Sequence, residues 1–186
     1  MSKPKYGPET IEHSMVTNNH RLAGDIIRYH TWPIQQNQTI ANHTWNLMRI
    51  YCTLFGLPRS EVFYFLIYHD VPEMKTGDMP SYTKLNYPEF RELFDRAEAK
   101  GAAEMNLVLP ELTYEEFLNF KICDMLERIE FAFFEMMKGN RLAEPILETF
   151  RRDLKRFDLS ERKQDLINTF IDNLFRYMKS SATKEA

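Results

Sequence analysis

Apolar residues recur at helical spacing along most of the chain. Leu47, Ile50 and Leu54 fall on one face of a segment that Thr39 can cap and that Gly56 ends. Stretches in which apolar and polar residues alternate strictly are few, which leaves little room for a sheet. The pattern therefore predicts an all-α fold, a single helical bundle of about seven helices.

Capping residues, glycines and prolines set the predicted boundaries. The sequence from Thr113 to Glu116 has the form of a capping box, and the polar stretches 28–39 and 76–80 are predicted loops. We expect one domain over 1–186, with a core from about 9 to 180 and a frayed C-terminal tail. The predicted helices cover about 9–26, 39–55, 59–69, 88–101, 113–138, 141–157 and 160–179.

Composition favours a globular protein and argues against a nucleic-acid-binding or membrane-spanning one. With 186 residues, 44% of them hydrophobic, the chain can bury a substantial core. A net charge of −3 argues against broad electrostatic binding to nucleic acid. The N-terminus has no apolar signal region and no apolar run approaches the roughly 20 residues that span a bilayer, so we expect no membrane partner. Cys52 and Cys123 lie in apolar segments and are interpreted as reduced core thiols of a cytoplasmic protein.

Histidines and aspartates occupy apolar helical faces in three successive segments. His43 shares a face with Leu47, the His69-Asp70 pair ends an apolar run, and Asp124 lies on a later apolar stripe. A buried aspartate needs a cation or many hydrogen bonds, and any one of these residues alone also fits a hydrogen-bonded core position. Together the four predict a metal site. This donor set suits one divalent ion of manganese, cobalt, iron or zinc, with magnesium possible, and such an ion activates water for hydrolysis.

Two further residues lie close in sequence to these candidate ligands. Glu73 follows Asp70 by three residues, so in a helical turn it would position the water or protonate a leaving oxygen. The alternative interpretation of Glu73 is an exposed carboxylate in the first turn of a helix, without a catalytic role. Lys121 precedes Asp124 by three residues and needs an anion to face, which is either a phosphate or a neighbouring glutamate.

Residues in or near the predicted loops supply other candidate contacts, to a phosphate, a sugar hydroxyl or a base. Lys84 and Arg28 are candidate cations for phosphate, although each alone also suits a solvated surface. Asp78, in a Gly-Asp turn, can accept a hydrogen bond from a sugar hydroxyl or satisfy its own backbone. Tyr29 and Trp32 can stack on a base or cover helix packing.

The string from His69 to Pro80 resembles a known motif. It has the form His-Asp-x-x-Glu-x-x-Thr-Gly-Asp-x-Pro, which is carried by the HD-domain phosphohydrolases known as 5′-deoxynucleotidases. The chain is also similar to the compact phage dATP triphosphohydrolases of the same fold, from about Arg28 to Asp124. The resemblance implies an HD-domain helical fold and a metal-dependent phosphohydrolase.

The resemblance also implies roles for single residues. His43, His69, Asp70 and Asp124 would bind the metal, Glu73 would assist water attack and leaving-group protonation, and Asp78 would contact the deoxyribose. Arg28, Lys84 and Lys121 match basic positions that face phosphate. Tyr29 stands where the family has a tryptophan that crowds the 2′ position of the sugar, which puts selectivity against ribonucleotides in question.

Four interpretations of the function remain open. The leading interpretation is hydrolysis of 5′-deoxynucleoside monophosphates, followed closely by hydrolysis of deoxynucleoside triphosphates. A non-catalytic nucleotide-binding HD module is a further alternative. The last is a helical scaffold that binds no metal. A nucleotide is the expected partner. A homo-oligomer is also expected, and the Phe- and Met-rich segment 131–137 would form either its interface or core.

Overall fold

The computed structural model describes residues 20–182, most of which are helical. Two 3-10 segments, His20–Asp25 and Arg141–Ala143, accompany eight α-helices in that range. The helices, numbered α1 to α8 in chain order, are Ile40–Phe55, Ser60–Tyr68, Glu73–Thr76, Ser81–Asn86, Pro88–Glu104, Tyr114–Met137, Glu144–Leu154 and Glu161–Ala182. The predicted all-α class is confirmed.

The first described residues, at the N-terminal end of the range, differ most from the sequence prediction. The start of the predicted first helix lies outside the described residues, and His20–Asp25 is a 3-10 segment, in which Gly24 and Asp25 favour helix poorly. The predicted loop 28–39 begins and ends in a short antiparallel pair, β1 (Ile27–Arg28) with β2 (Gln38–Thr39). Two-residue strands carry no detectable alternation, so the sequence pattern could not indicate them.

Later boundaries also shift. Helix α4, Ser81–Asn86, was not predicted, and the helix expected over 141–157 divides into a 3-10 turn and α7. Helix α8 runs to Ala182, past the predicted start of the tail at residue 180, and residues 183–186 lie outside the described range.

Both predicted caps form as expected. The hydroxyl of Thr39 accepts a hydrogen bond from the Asn42 backbone N–H at the start of α1, and the Asn42 side chain accepts one from the Thr39 N–H. At the start of α6, Thr113 and Glu116 exchange the same pair of bonds in a capping box. These bonds satisfy N–H groups that have no partner within the helix.

The chain divides into two compact units, and the predicted single-domain organisation stays a prediction. Within the described residues the first unit comprises 20–31, 37–45 and 60–111. Its core joins Ala23, Val71, Met105 and Leu107, with aromatic rings of α2 packed against them. Helix α5 lies against the short helices α3 and α4.

The second unit comprises 32–36, 46–59 and 112–182 of the described residues. Its centre is the long helix α6, which packs against α7 and α8 and buries Cys123 completely. Burial raises the pKa of the Cys123 thiol well above its usual value, which fits the predicted core position of this thiol. In the described part of the chain, no helix is both long enough and apolar enough to cross a membrane.

Candidate metal centre and active site

The strand pair connects the candidate phosphate-binding arginine to the helix that carries the first histidine. Arg28 pairs with Gln38 across the two strands, and the N–H of Ile40 donates to the carbonyl of Ile26 at 3.0 Å. Helix α1 therefore begins beside the strand of Arg28, and His43 follows in its first turn. Both side chains are buried, Arg28 at 4% exposure and His43 at 0%.

His69 is oriented by the end of helix α2. Its Nδ1 lies 3.0 Å from the carbonyl oxygen of Leu66, and its ring stacks on Phe65 with centroids 6.1 Å apart and planes 8° from parallel. A carbonyl partner makes Nδ1 the protonated nitrogen, which leaves the lone pair of Nε2 for a ligand.

Asp70 lies at the centre of the cluster. One carboxylate oxygen, Oδ2, is 2.8 Å from the Arg28 guanidinium and 3.6 Å from Nε2 of His43, while Oδ1 is 3.3 Å from Nε2 of His69. The two imidazole rings meet edge to face with centroids 5.7 Å apart. Ligand atoms of His43, His69 and Asp70 all lie within 4.8 Å of one another.

This trio fits a divalent transition metal. Two imidazole nitrogens and one carboxylate oxygen are the donors such ions prefer, and the carbonyl partner of His69 is the kind of outer contact that metal-binding histidines usually have. Three protein ligands leave coordination positions for water and substrate. Within the described residues, this trio is the group that could hold the predicted divalent metal ion.

Glu73 lies in the turn after the cluster. Pro72 is the N-cap residue of helix α3 and keeps helical angles, φ −58° and ψ −25°, so it does not interrupt the turn. The N–H of Glu73 donates to the carbonyl of Asp70 at 3.0 Å. The Glu73 side chain is 5% exposed, and its Oε2 is buried without a hydrogen-bond partner among the described residues. It is therefore not the exposed first-turn carboxylate of the alternative interpretation.

Charges around Glu73 come from the other predicted site residues. Burial raises the pKa of Glu73, the carboxylates of Asp70 and Asp78 raise it further, and Arg28 and Lys84 act in the opposite direction. The carboxyl group of Glu73 thus lies within the electrostatic field of four charged side chains, those of Asp70, Asp78, Arg28 and Lys84.

Tyr29 adopts a backbone conformation that is uncommon for its residue type. Its φ is +57°, in the left-handed region, and the Arg28 guanidinium carbon lies 6.0 Å from the centre of its ring. Such a conformation costs about 1–3 kcal/mol and persists where the surrounding structure imposes it, often at functional sites.

Asp124 and Lys121 belong to the second unit. Asp124 is 6% exposed, as its apolar face predicted, and Arg128 binds it through two bonds of 3.1 and 2.9 Å. Arg128 was not predicted as a partner of Asp124, although a spacing of four residues on a helix indicates such a pair. Lys121 Nζ lies 5.4 Å and 4.9 Å from the ring centres of Phe117 and Phe120.

Comparison with known proteins shows the family of the chain. Residues 24–174 match the family described as 5′-deoxynucleotidase YfbR-like. The chain belongs to this family. It is therefore an HD-domain phosphohydrolase, and the predicted class of metal-dependent phosphohydrolase is confirmed.

Relatives agree with that assignment. A dATP triphosphohydrolase of cyanophage S-2L is 28% identical over 150 residues, which is 76% of this chain and 79% of the relative. Among solved structures, the cyanophage S-2L HD phosphohydrolase bound to dA and one catalytic Zn²⁺ ion superposes with a TM-score of 0.63 at 22% identity, covering 88% of this chain and 96% of that one. An HD-domain phosphohydrolase from Listeria innocua gives 0.57 at 18% identity, with 97% and 100% covered.

Glu135 is a buried residue that the sequence analysis did not identify. It is 1% exposed and accepts the N–H groups of Gln35 and Gln36 at 2.7 and 3.1 Å, while Asn140 donates to it at 2.8 Å. Burial raises the pKa of Glu135, but these hydrogen bonds outweigh burial and the net pKa is lowered. The residue thereby fixes the loop 32–36 within the second unit, and no local pattern in the sequence signals a bond spanning 100 residues.

Proposed function

We propose that this chain hydrolyses 2′-deoxynucleoside 5′-monophosphates to a deoxynucleoside and orthophosphate. The observation that carries the proposal is the metal-ligating cluster of His43, His69 and Asp70, followed within one turn by the buried carboxylate of Glu73. The family description and the nucleotide-hydrolysing relative support the substrate class.

His43, His69 and Asp70 would hold the metal, and we propose Asp124 as its fourth ligand on the motif that this sequence shares with HD-domain enzymes. When bound, the ion supplies an activated water and polarises the phosphoryl group. Asp124→Asn is expected to lower the bound metal well below one ion per chain. A variant with full metal content and full activity would remove Asp124 from the ligand set.

Glu73 and Asp78 carry the proton and sugar chemistry in this proposal. Glu73 lies in the turn after Asp70 with an oxygen that has no partner among the described residues, which supports a role in orienting the water or protonating the leaving oxygen of the sugar. Asp78 accepts a hydrogen bond from the deoxyribose. Glu73→Gln is expected to retain metal and lose at least about a hundredfold in kcat, the usual range for a lost acid–base group.

Positive charge for the phosphate comes from Arg28, Lys84 and Lys121. Arg28 already contacts Asp70 at 2.8 Å, and a guanidinium has further N–H donors beyond the one used in that bond. A phosphate at the metal would therefore meet a guanidinium that is held in place by its carboxylate partner. Tyr29, next in the chain, is proposed to contact the sugar.

Hydrolysis of deoxynucleoside triphosphates is the second candidate. It is favoured by the 28% identity to the cyanophage dATP triphosphohydrolase and by three basic residues that suit a longer phosphate chain. The test supplies dAMP and dATP with Zn²⁺, Mn²⁺ or Co²⁺ and identifies the released phosphate. Orthophosphate from dAMP supports the main proposal, whereas tripolyphosphate from dATP without cleavage of dAMP establishes the second candidate.

A non-catalytic nucleotide-binding module would bind metal and dAMP without releasing phosphate, so the same assay distinguishes it from an enzyme.

Cytoplasmic location, a homo-oligomer and the absence of nucleic-acid and membrane partners stay predictions. Gel filtration with light scattering measures the oligomeric state; a mass near 22.2 kDa would contradict the oligomer.

A further inference from the structure

One face of helix α6 runs from an exposed aromatic residue to the proposed metal ligand Asp124. Phe117 is 45% exposed, Lys121 follows it by four residues, and Asp124 follows Lys121 by three and is 6% exposed. Residues at these spacings are neighbours on a helix surface. Because side chains on a helix lean towards its N-terminus, the Lys121 side chain extends towards Phe117.

The ammonium of Lys121 lies against two aromatic rings of this helix. Its Nζ is 5.4 Å from the ring centre of Phe117 and 4.9 Å from that of Phe120. The two ring centres are 5.9 Å apart, with planes tilted by 52°. Both distances from Nζ are within the range of about 6 Å over which an aromatic ring attracts a cation. The two rings therefore hold the ammonium by cation–π attraction.

The fold accounts for one of these rings and not for the other. Phe120 is 3% exposed and belongs to the core, so burial of an apolar side chain explains its presence. Phe117 leaves nearly half of its surface in water. Single exposed aromatic residues are common, so exposure alone assigns it no role. Its contact with Lys121, a proposed phosphate-binding residue, is the observation that does.

Resting on the proposed function, we propose that Phe117 is a positioning residue for Lys121. Its ring holds the ammonium on the helix face that carries Asp124, where it meets the phosphate of the substrate. A lysine side chain has a flexible four-carbon stem, and fixing it on a ligand costs rotamer entropy. A ring that restricts the lysine before the substrate arrives reduces that cost. A ring also leaves the positive charge unneutralised, so it does not compete with the phosphate as a carboxylate would.

The test compares binding that includes the phosphate with binding that does not. Phe117→Leu keeps an apolar side chain but removes the ring, Phe117→Tyr keeps the ring, and Tyr114→Leu, at a 78% exposed position of the same helix, is the control. We expect Phe117→Leu to raise the KM for dAMP about fivefold, the factor that corresponds to about 1 kcal/mol. Phe117→Tyr and Tyr114→Leu are expected to keep the wild-type KM. The kcat and the inhibition constant of deoxyadenosine are expected to stay near wild type in all three variants.

Lys121→Met and its double variant with Phe117→Leu complete the cycle. Lys121→Met is expected to raise the KM for dAMP at least as much as Phe117→Leu does, and Phe117→Leu is expected to add nothing in that background. The proposal is overturned if Phe117→Leu or Lys121→Met leaves the KM unchanged, if Phe117→Tyr behaves like Phe117→Leu, or if the fivefold effect persists without Lys121.

Stacking of the nucleobase on Phe117 is the competing explanation for an exposed ring beside a nucleotide site. A base that stacks on this ring does so with or without a phosphate. Phe117→Leu would then weaken the binding of deoxyadenosine as much as that of dAMP, and this result would overturn the positioning role.

Two further measurements keep the test decisive. If thermal unfolding shows that Phe117→Leu does not fold, Phe117→Met replaces it, because methionine suits a helix and also has no ring. If the wild type cleaves only dATP, the KM for dATP is compared instead. If it binds metal but releases no phosphate from either nucleotide, the proposed reaction has failed. The same variants are then compared by calorimetric Kd for dAMP and deoxyadenosine, with the same selective loss expected and an equal loss contradicting the proposal.

Discussion

Gly77 links the two proposed catalytic carboxylates. It ends helix α3, its N–H donates to the carbonyl of Glu73 at 2.7 Å, and Asp78 follows it directly. Its angles, φ +76° and ψ 164°, lie in a region that only glycine adopts readily. Gly77→Ala therefore tests whether this backbone conformation is required for the turn.

The magnitude follows from the surroundings of the glycine. A Cβ at Gly77 would meet no atom within 4 Å, so the substitution adds backbone strain and no clash. Strain of this kind costs about 1–3 kcal/mol, and for a chain of this size each kcal/mol lowers Tm by about 2–4 °C. Because relief of the strain moves Glu73 or Asp78, we also expect kcat/KM for dAMP to fall more than about tenfold, or about 1.4 kcal/mol in transition-state stabilisation.

Gly139→Ala is the matched control. Gly139 has φ +89°, a Cβ at this position would likewise meet no atom within 4 Å, and the residue lies after helix α6 in the second unit. Both variants are expected to lose stability in urea titrations, but only Gly77→Ala is expected to lose activity. Wild-type stability and wild-type kcat/KM in Gly77→Ala would refute the reasoning.

Three further predictions concern stability. Thr113→Ala removes the cap of α6 and should lower the free energy of unfolding by about 1 kcal/mol in urea, with unchanged metal content. The Arg59 guanidinium and the Thr113 N–H hold the pKa of Glu116 at about 2, below its unfolded value of 4.5. The stabilisation is thus complete above about pH 4.5 and lost as pH falls towards 2. The urea midpoints of wild type and Glu116→Gln should converge over that range, and a constant difference would contradict this. Glu135→Ala leaves two backbone N–H groups without their acceptor and should cost about 2–4 kcal/mol, whereas Glu148→Ala at an exposed position should cost under about 0.5 kcal/mol in thermal unfolding.

Residues whose environment depends on their own helix were predictable from the sequence. His43 and Asp124 share helical faces with apolar residues, and both are buried as expected. The Thr113–Glu116 capping box also forms, because its two hydrogen bonds need only the first turn of the helix. In each of these cases the sequence spacing alone determines which groups meet.

Contacts between distant segments were not predictable. Glu98 is partly buried on a helix that carries many charged residues, and Gly101 of the same helix approaches Lys75, a contact that spans 26 residues. Arg28 was expected to bind phosphate, but its bond to Asp70 depends on a strand pair too short to show alternation.

Metal titration of the stripped enzyme tests the central claim most directly. Protein freed of metal by a chelator is titrated with Zn²⁺, Mn²⁺ or Co²⁺, and orthophosphate release from dAMP is followed at each addition. We predict no release without metal and full activity at one ion per chain, the capacity of the single cluster formed by His43, His69 and Asp70 within the described residues. Activity that survives the chelator, or none with any of the three ions, would contradict the account.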